Sequence, residues 1–458
     1  MKPKETNTSL REQGEQQRKV LPRVDLANFT PANRKRKPLD LLDESTHDRV
    51  AALVKLKNER MAMSPFGFFR GAVSVMAYDL SLDPHTGIEC QLCGDAHVQN
   101  LGAYAAPDGR LIFDINDFDE TLRGPFEWDV KRMATSILLA GNTAKIKPAA
   151  SKEAAELFLT AYCSMMDQFA RMPVLAVARF QVHRLASVAP VEKILRKAEH
   201  ETPVCSLKRL TEVTAKGRVF KSTPPVLRPV TGKEAKAVLE SLPEFAKSIL
   251  PERQRFFAKF TPKAVAFKVV GTGSVGLRDY CVLLEGNGPE DPLFLQVKQE
   301  AKSAYAPYLK QDRPLPKNDG QRVVEGQRAM QLQSDPLLGW TTIDGRSYLV
   351  RQLDDHKASV DITTLNASAL AAYAVVCGEM LSRGHARSGE CRVIDGYIGN
   401  GVRFKQGILG FATAYATQTV EDWKLLVSRQ PQETGHFEKV TQLRRTKAHV
   451  ARITVVGA

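Results

Sequence analysis

The sequence predicts an α+β protein in which helices enclose a central β-rich block. Three observations carry this reading. Apolar residues recur at helical spacing over 45–62, 127–142, 150–170, 365–386 and 401–429. After Pro262 the period changes, and AVAFKVV, DYCVLLEG and LFLQVK read as three strands in succession. A separate β piece lies near residue 100. Such segregation of helical and strand runs is the α+β pattern.

The elements follow in order. Residues 1–44 are Gln-, Pro- and Asn-rich and run through Arg34-Lys35-Arg36-Lys37, which reads as a basic disordered arm. Residues 45–62 read as a helix with Val50, Leu53 and Leu56 on one face. IECQLC over 88–93 is a buried strand, and 99–106 and 110–115 are strands joined by the turn Pro107-Asp108-Gly109. Helices at 127–142 and 150–170 complete a unit spanning 45–190. Residues 191–261 read as a basic, Pro-broken helical connector. A β-rich unit spans 262–356, with a helix at 320–333 and a strand at 348–353 inside it. Residues 357–458 return to helix, opening on the Ala-rich 365–386.

Composition bounds the function. The 458 residues carry a formal charge of +14, and 43% are hydrophobic. Residues 1–40 hold ten Lys/Arg against five Asp/Glu, and residues 191–268 hold seventeen against eight. These two segments account for the whole excess. The arm could therefore touch nucleic acid or anionic lipid, though a solvated tail is the favoured reading. No apolar run reaches the roughly 18 residues of a membrane span. The seven cysteines are odd in number and scattered, and the start lacks an apolar signal core, so a reducing cytoplasm is expected.

Two constellations carry chemistry. In GDAHVQNLGAYAAPDGRLIFDINDFDETLRGPFEWD, Asp95, Asn100 and Asp117 flank apolar strands rather than surface turns. Carboxylates brought together there call for a cation, and an Asn oxygen beside them suits Mg²⁺. Asp114 is the runner-up to Asp117 as metal ligand. His97, two residues after Asp95, reads as a brace. A zinc site at Cys90, Cys93 and His97 lacks a fourth ligand.

The second constellation is Gly271-Thr272-Gly273-Ser274-Val275-Gly276 between two strands. Glycines let backbone N–H groups approach phosphate oxygens. Lys298 follows at the end of an apolar strand, where it needs an anionic partner. Glu325 in RVVEGQRAMQ is the expected partner, with Glu300 as the alternative.

Gly94-Asp95-Ala96-His97-Val98-Gln99-Asn100 resembles the catalytic loop of the protein-kinase-like superfamily in its aminoglycoside and choline kinase branch. The resemblance implies that Asp95 is the catalytic base, with His97 beside it. It makes Asn100 a metal ligand, and Asp117-Phe118-Asp119 the site of the metal Asp. It gives Gly271, Gly273, Ser274 and Gly276 a phosphate-covering role and makes Lys298 with Glu325 the nucleotide lysine pair. Arg351-Gln352-Leu353-Asp354 falls where the adenine hinge is expected. The wider strings SPFGFFRG, GDAHVQN, FDINDFDE and GPFEWDVKR resemble the bacterial domain of unknown function 2252 family over roughly 45–430. In kinases the Gly loop and lysine precede the catalytic loop, whereas here they follow it. The implied fold is therefore a two-lobed kinase-like fold, circularly permuted, with ATP and Mg²⁺ as cofactors and an unread hydroxyl or amine acceptor. AMP transfer, an inactive nucleotide-binding pseudokinase or scaffold, and a metal-dependent hydrolase are the rival functions.

Overall fold

The computed structural model describes residues 7–182, 188–215, 217–269, 271, 273–353 and 358–429. Thr272 of the Gly-rich motif and Asp354 of the expected hinge lie outside them. The chain is a mixed α/β structure with one large helical core and one principal sheet.

The sheet has six antiparallel strands, in spatial order Gly339–Ile343, Arg346–Gln352, Pro292–Gln299, Asp279–Glu285, Thr261–Lys268 and Leu227–Val230. Asp279–Glu285 and Pro292–Gln299 sit centrally, and nearly all their residues are buried. That explains why they read as continuous apolar runs rather than alternating ones. One face of the sheet packs Val282, Leu295, Val297 and Val350 against Val238, Leu242 and Phe245. The other packs Leu283 and Phe294 against Leu207, Leu210 and Phe220.

These contacts correct the expected connector. Residues 191–261 contribute an edge strand of the main sheet, a small hairpin of Thr211–Thr214 with Gly217–Phe220, and helices that cover both faces. Their basic residues face solvent while their apolar stripes complete the β-rich core, a split the charge surplus obscured.

The helical core is built around Phe126–Thr143, Pro148–Arg171 and Ala367–Ser388. Asn366 caps the last of these, accepting from the Ala369 N–H at 2.9 Å. Pro148–Arg171 and Ala367–Ser388 approach closely at Gly378, where an added Cβ would lie 2.4 Å from the Phe158 carbonyl oxygen. The C-terminal part of Ala367–Ser388 lies beside the strand Glu89–Leu92. The Gln91 N–H reaches Ser388 Oγ at 3.3 Å, and His385 Nδ1 meets the Tyr162 hydroxyl at 2.8 Å.

The expected disordered arm is also corrected. Asn7–Val20 is a helix packed on Cys391–Ile398. Arg11 pairs with buried Asp395, and Arg18 donates to the carbonyls of Gly396 and Tyr397. Arg34 is buried between Asp79 at 2.6 Å and Asp422 at 2.9 Å. Three of the basic residues that suggested a solvated tail, Arg11, Arg18 and Arg34, are bonded to groups distant in sequence, which composition cannot register. The expected 45–62 helix begins only at Ala51 and runs to Ala62. Among the described residues no helix is long and apolar enough to cross a membrane.

Candidate functional site

The strand Glu89–Leu92 delivers the chain into Gly94 at φ +83°, where an added Cβ would lie 2.2 Å from the Glu120 carbonyl oxygen. Only glycine tolerates both constraints. Asp129, in the first turn of Phe126–Thr143, accepts from the N–H groups of Cys93 at 2.7 Å and Gly94 at 3.0 Å. It thereby fixes the residue before Asp95.

Arg132, one turn further along, donates from Nε to Asp95 Oδ1 at 2.8 Å and lies over the Phe69 ring at 4.2 Å. Burial alone would raise the Asp95 carboxyl. Arg132 and His97 outweigh it and hold the group at about 2. His97 accepts from the Gln99 N–H on Nδ1 at 3.1 Å, and its Nε2 sits 3.5 Å from Asp95 Oδ2. Burial lowers the His97 pKa, which keeps the ring neutral. His97 is thus a brace on Asp95.

Asn100 ties two loops together. Its Nδ2 donates to the carbonyls of Asp95 and Asp117, both at 2.9 Å. Its Oδ1 is left buried without a hydrogen-bond partner, as is Asp117 Oδ1. Buried acceptors in native proteins are nearly always satisfied, so these two oxygens, the second 3.7 Å from the Lys298 ammonium, fit the ligands of a cation. Among the described residues no cluster of three or more His, Cys, Asp or Glu side chains forms a preassembled metal site. An Asn with one Asp suits an ion such as Mg²⁺, which keeps water and phosphate ligands.

Asp114 does not join them. Its carboxylate is buried in an ion pair with Arg383 and accepts from the Ile115 N–H at 2.7 Å. It fastens the hairpin Leu101–Ala105/Leu111–Ile115 to the helix Ala367–Ser388 instead of facing the cleft.

Lys298 reaches the same point from the sheet, 179 positions after Asp119 in the chain. The ammonium is buried, donates to both Asp119 carboxylate oxygens, and lies 3.7 Å from Asp117 and 3.9 Å from Glu300. Burial opposes its charge, and Asp117 and Asp119 more than restore it, raising its pKa. The two aspartates titrate as a pair. Burial and the second carboxylate raise the last proton lost, while Lys298 lowers the first. Glu300, buried with an unpartnered Oε1, is raised well above its usual range by burial and by Asp119.

Glu325 is not the lysine's partner. It is exposed and accepts from Gln321 Nε2 at 2.8 Å. The helix Asp319–Met330 turns Arg322 inward in its place, donating to the carbonyls of Thr121 at 2.7 Å, Asp119 at 3.0 Å and Ala301 at 2.8 Å. The helix supports the loop that supplies the partner, Asp119, rather than supplying one itself. Asp119 was visible in the DFD string, but only as a neighbour of the metal candidate.

A cavity of about 790 Å³ joins the two constellations. Asp95, His97, Asp117 and Asp119 line it together with Gly271, Gly273 and Ser274. Gly276, at φ +97°, packs against the Arg49 side chain instead and accepts from the Val50 N–H through its carbonyl at 2.7 Å. Arg49 donates to the carbonyls of Gly273 at 2.7 Å and Val275 at 2.6 Å, and Arg60 to that of Gly271. Arg49 and Arg70 complete the cavity wall; Arg70 stands in the SPFGFFRG string, which implied no site role, and Arg49 in no motif string.

The sequence pattern of a family described as an uncharacterized protein conserved in bacteria (DUF2252) matches residues 49–429, and the chain belongs to that family. No curated protein and no solved structure matches it.

Proposed function

We propose that this member of the DUF2252 family is a Mg²⁺-dependent, ATP-using phosphotransferase built as a circularly permuted, kinase-like arrangement. One observation carries the reading. Lys298 and the Asp117–Asp119 loop, far apart in sequence, meet, and Asp117 and Asp119 line one cavity together with a Gly-rich strand-to-strand turn. Neither segment could manage a triphosphate alone, because one lacks phosphate donors and the other lacks metal ligands. The strand order agrees with a permuted small lobe, since a Gly-rich turn, a lysine strand, a helix and two further strands follow one another.

Asn100 and Asp117 would hold the Mg²⁺, whose chemistry is to neutralise charge on phosphate oxygens. Lys298 would leave Asp119 for phosphate, keeping a counter-charge on both sides of its swing. Asp95 would accept a hydrogen bond from the acceptor hydroxyl or amine and orient it. Held at about 2 by Arg132, Asp95 is a feeble base, so orientation dominates and proton transfer comes late. A loose phosphoryl transition state requires no more.

That same Arg132 contact favours a second reading, a protein that binds nucleotide and turns nothing over. ATP labelled separately on the α and γ phosphates, incubated with Mg²⁺ and hydroxyl, amine and protein acceptors, separates the cases. The proposal expects γ label on an acceptor, lost in Asp95→Asn while ATP binding persists. Transfer of α label would mean AMP transfer. ATP binding with no transfer of either label selects the binding-only reading.

A further inference from the structure

We propose that Arg70, backed by Arg49, forms a phosphoryl-binding subsite in the wall of the cavity that Asp95, Asp117 and Asp119 also line. This rests on the nucleotide reading above and deepens it. The starting point is an imbalance of partners. Asp95 is already paired with Arg132, and Asp117 and Asp119 with Lys298. Arg70 faces the same cavity, yet among the described residues it has no carboxylate within salt-bridge distance. Its Nη1 donates to the neutral Gln99 Oε1 at 2.9 Å, and its Nε donates to the neutral His97 ring at Nε2 at 3.3 Å. Arg49 bonds only to the backbone carbonyls of Ser45, Gly273 and Val275.

Both guanidiniums are largely withdrawn from water, and burial pulls both pKa values down. A withdrawn cation with only neutral acceptors is costly unless a ligand supplies the anion. A guanidinium presents a planar fork of donors that matches a phosphate. The backbone also makes room: an ideal Cβ on Gly273 would lie 3.3 Å from the Arg70 carbonyl oxygen, so the Gly-rich turn passes directly against Arg70.

The cavity therefore meets two kinds of group. Asp117 in its lining, and Asn100, which donates to the Asp117 carbonyl, each have a buried oxygen without a hydrogen bond, suited to a cation, while Arg49 and Arg70 in its lining have no carboxylate bonded to them among the described residues. A phosphoryl group held between them would touch the cation on one side and Arg70 on the other, next to Asp95. The shared ligand chemistry is a phosphoryl dianion, either the terminal group of a nucleoside triphosphate or a separate phosphate.

Calorimetry on the full chain with Mg²⁺, using ATP, ADP and inorganic phosphate as probes, tests this. Parent, Arg70→Met, Arg70→Lys and Lys298→Ala are compared. We expect Arg70→Met to weaken ATP roughly tenfold or more, with ADP within about twofold, as fits loss of a charged hydrogen bond to the last phosphate alone. A tenfold loss for inorganic phosphate, with ATP and ADP unchanged, supports the subsite and assigns it to a separate phosphate. Unchanged affinity for all three probes overturns it, and so does an equal loss for ATP and ADP. Should Arg70→Met not fold, Arg70→Lys keeps the charge and loses the fork. It is expected to lose about three- to tenfold for the same probe, and parental affinity there overturns the subsite. If the parent binds inorganic phosphate through Arg70 but Lys298→Ala leaves ATP affinity untouched, the nucleotide reading fails and the subsite stands. A parent that binds none of the three overturns the subsite.

Discussion

Asp119→Asn is the sharpest test of how Lys298 is held. The ammonium is buried, and Asp119 is the carboxylate it contacts with both oxygens. Removing one partner of a buried pair typically costs about 3–5 kcal/mol, because the other charge is left uncompensated. Here Asp117 at 3.7 Å and Glu300 at 3.9 Å remain, and the Asp119 side chain is 22% exposed. Both facts reduce the loss, so about 1–3 kcal/mol is expected. Glu325→Gln alters an exposed side chain bonded to Gln321, so it should stay within about ±0.5 kcal/mol. Urea denaturation of both variants, repeated in a Lys298→Met background, gives a double-mutant cycle. Asp119→Asn should lose most of its cost once the ammonium is gone. An undiminished cost in that background, or a Glu325→Gln cost equal to that of Asp119→Asn, would refute the assignment of Asp119.

The remaining predictions concern the metal, the nucleotide and pH. Asp117→Ala should abolish the Mg²⁺-dependent part of nucleotide stabilisation in thermal shifts, whereas Asp114→Ala, which strands buried Arg383, should cost about 3–5 kcal/mol in denaturation with or without ligand; the reverse pattern would exchange their roles. Lys298→Ala should weaken ATP binding roughly tenfold or more by calorimetry, and equal affinity would sink the lysine's role. Asp95 titrates at about 2 in the fold against 3.8 unperturbed. A depressed carboxyl adds stability above its unfolded pKa, here about 2 kcal/mol, which is lost as pH falls from about 4 to 2. Arg132→Met should remove that contribution and move acid unfolding, followed by circular dichroism, to higher pH; coincident acid profiles would show that Arg132 does not hold Asp95.

What the sequence disclosed depended on how local each constraint is. Asp95, Asn100 and Asp117 were legible because their loop is tied together by bonds among near neighbours, such as Asn100 Nδ2 to the carbonyls of Asp95 and Asp117. Lys298 was legible because a cation at the end of an apolar strand demands a partner. The partner itself was not legible. Helical spacing gives a periodicity but not which face turns inward, and in Asp319–Met330 that face carries Arg322, not Glu325. Asp114 and Asp117 are equally acidic and three residues apart, and only the position of Arg383 on a helix far along the chain separates them. Arg49 belongs to no motif string and Arg70 to SPFGFFRG, which pointed to a family but to no site role; their place at the cavity follows from how the N-terminal helices lie against the Gly-rich turn.

The docking of Asn7–Val20 on Cys391–Ile398 bears on the order of synthesis. Arg11 and Asp395 are separated by 384 positions. At about 5–20 residues per second, a ribosome needs roughly 20–80 s between making one and making the other. Through that interval the first helix has no seat, and Arg34 waits likewise for Asp422. The segment behind them, Arg36 to Arg49, lines the cavity. A nascent chain therefore carries Asp95, Asn100 and Asp117 long before it carries a finished pocket, and the pocket closes only as the last helices emerge.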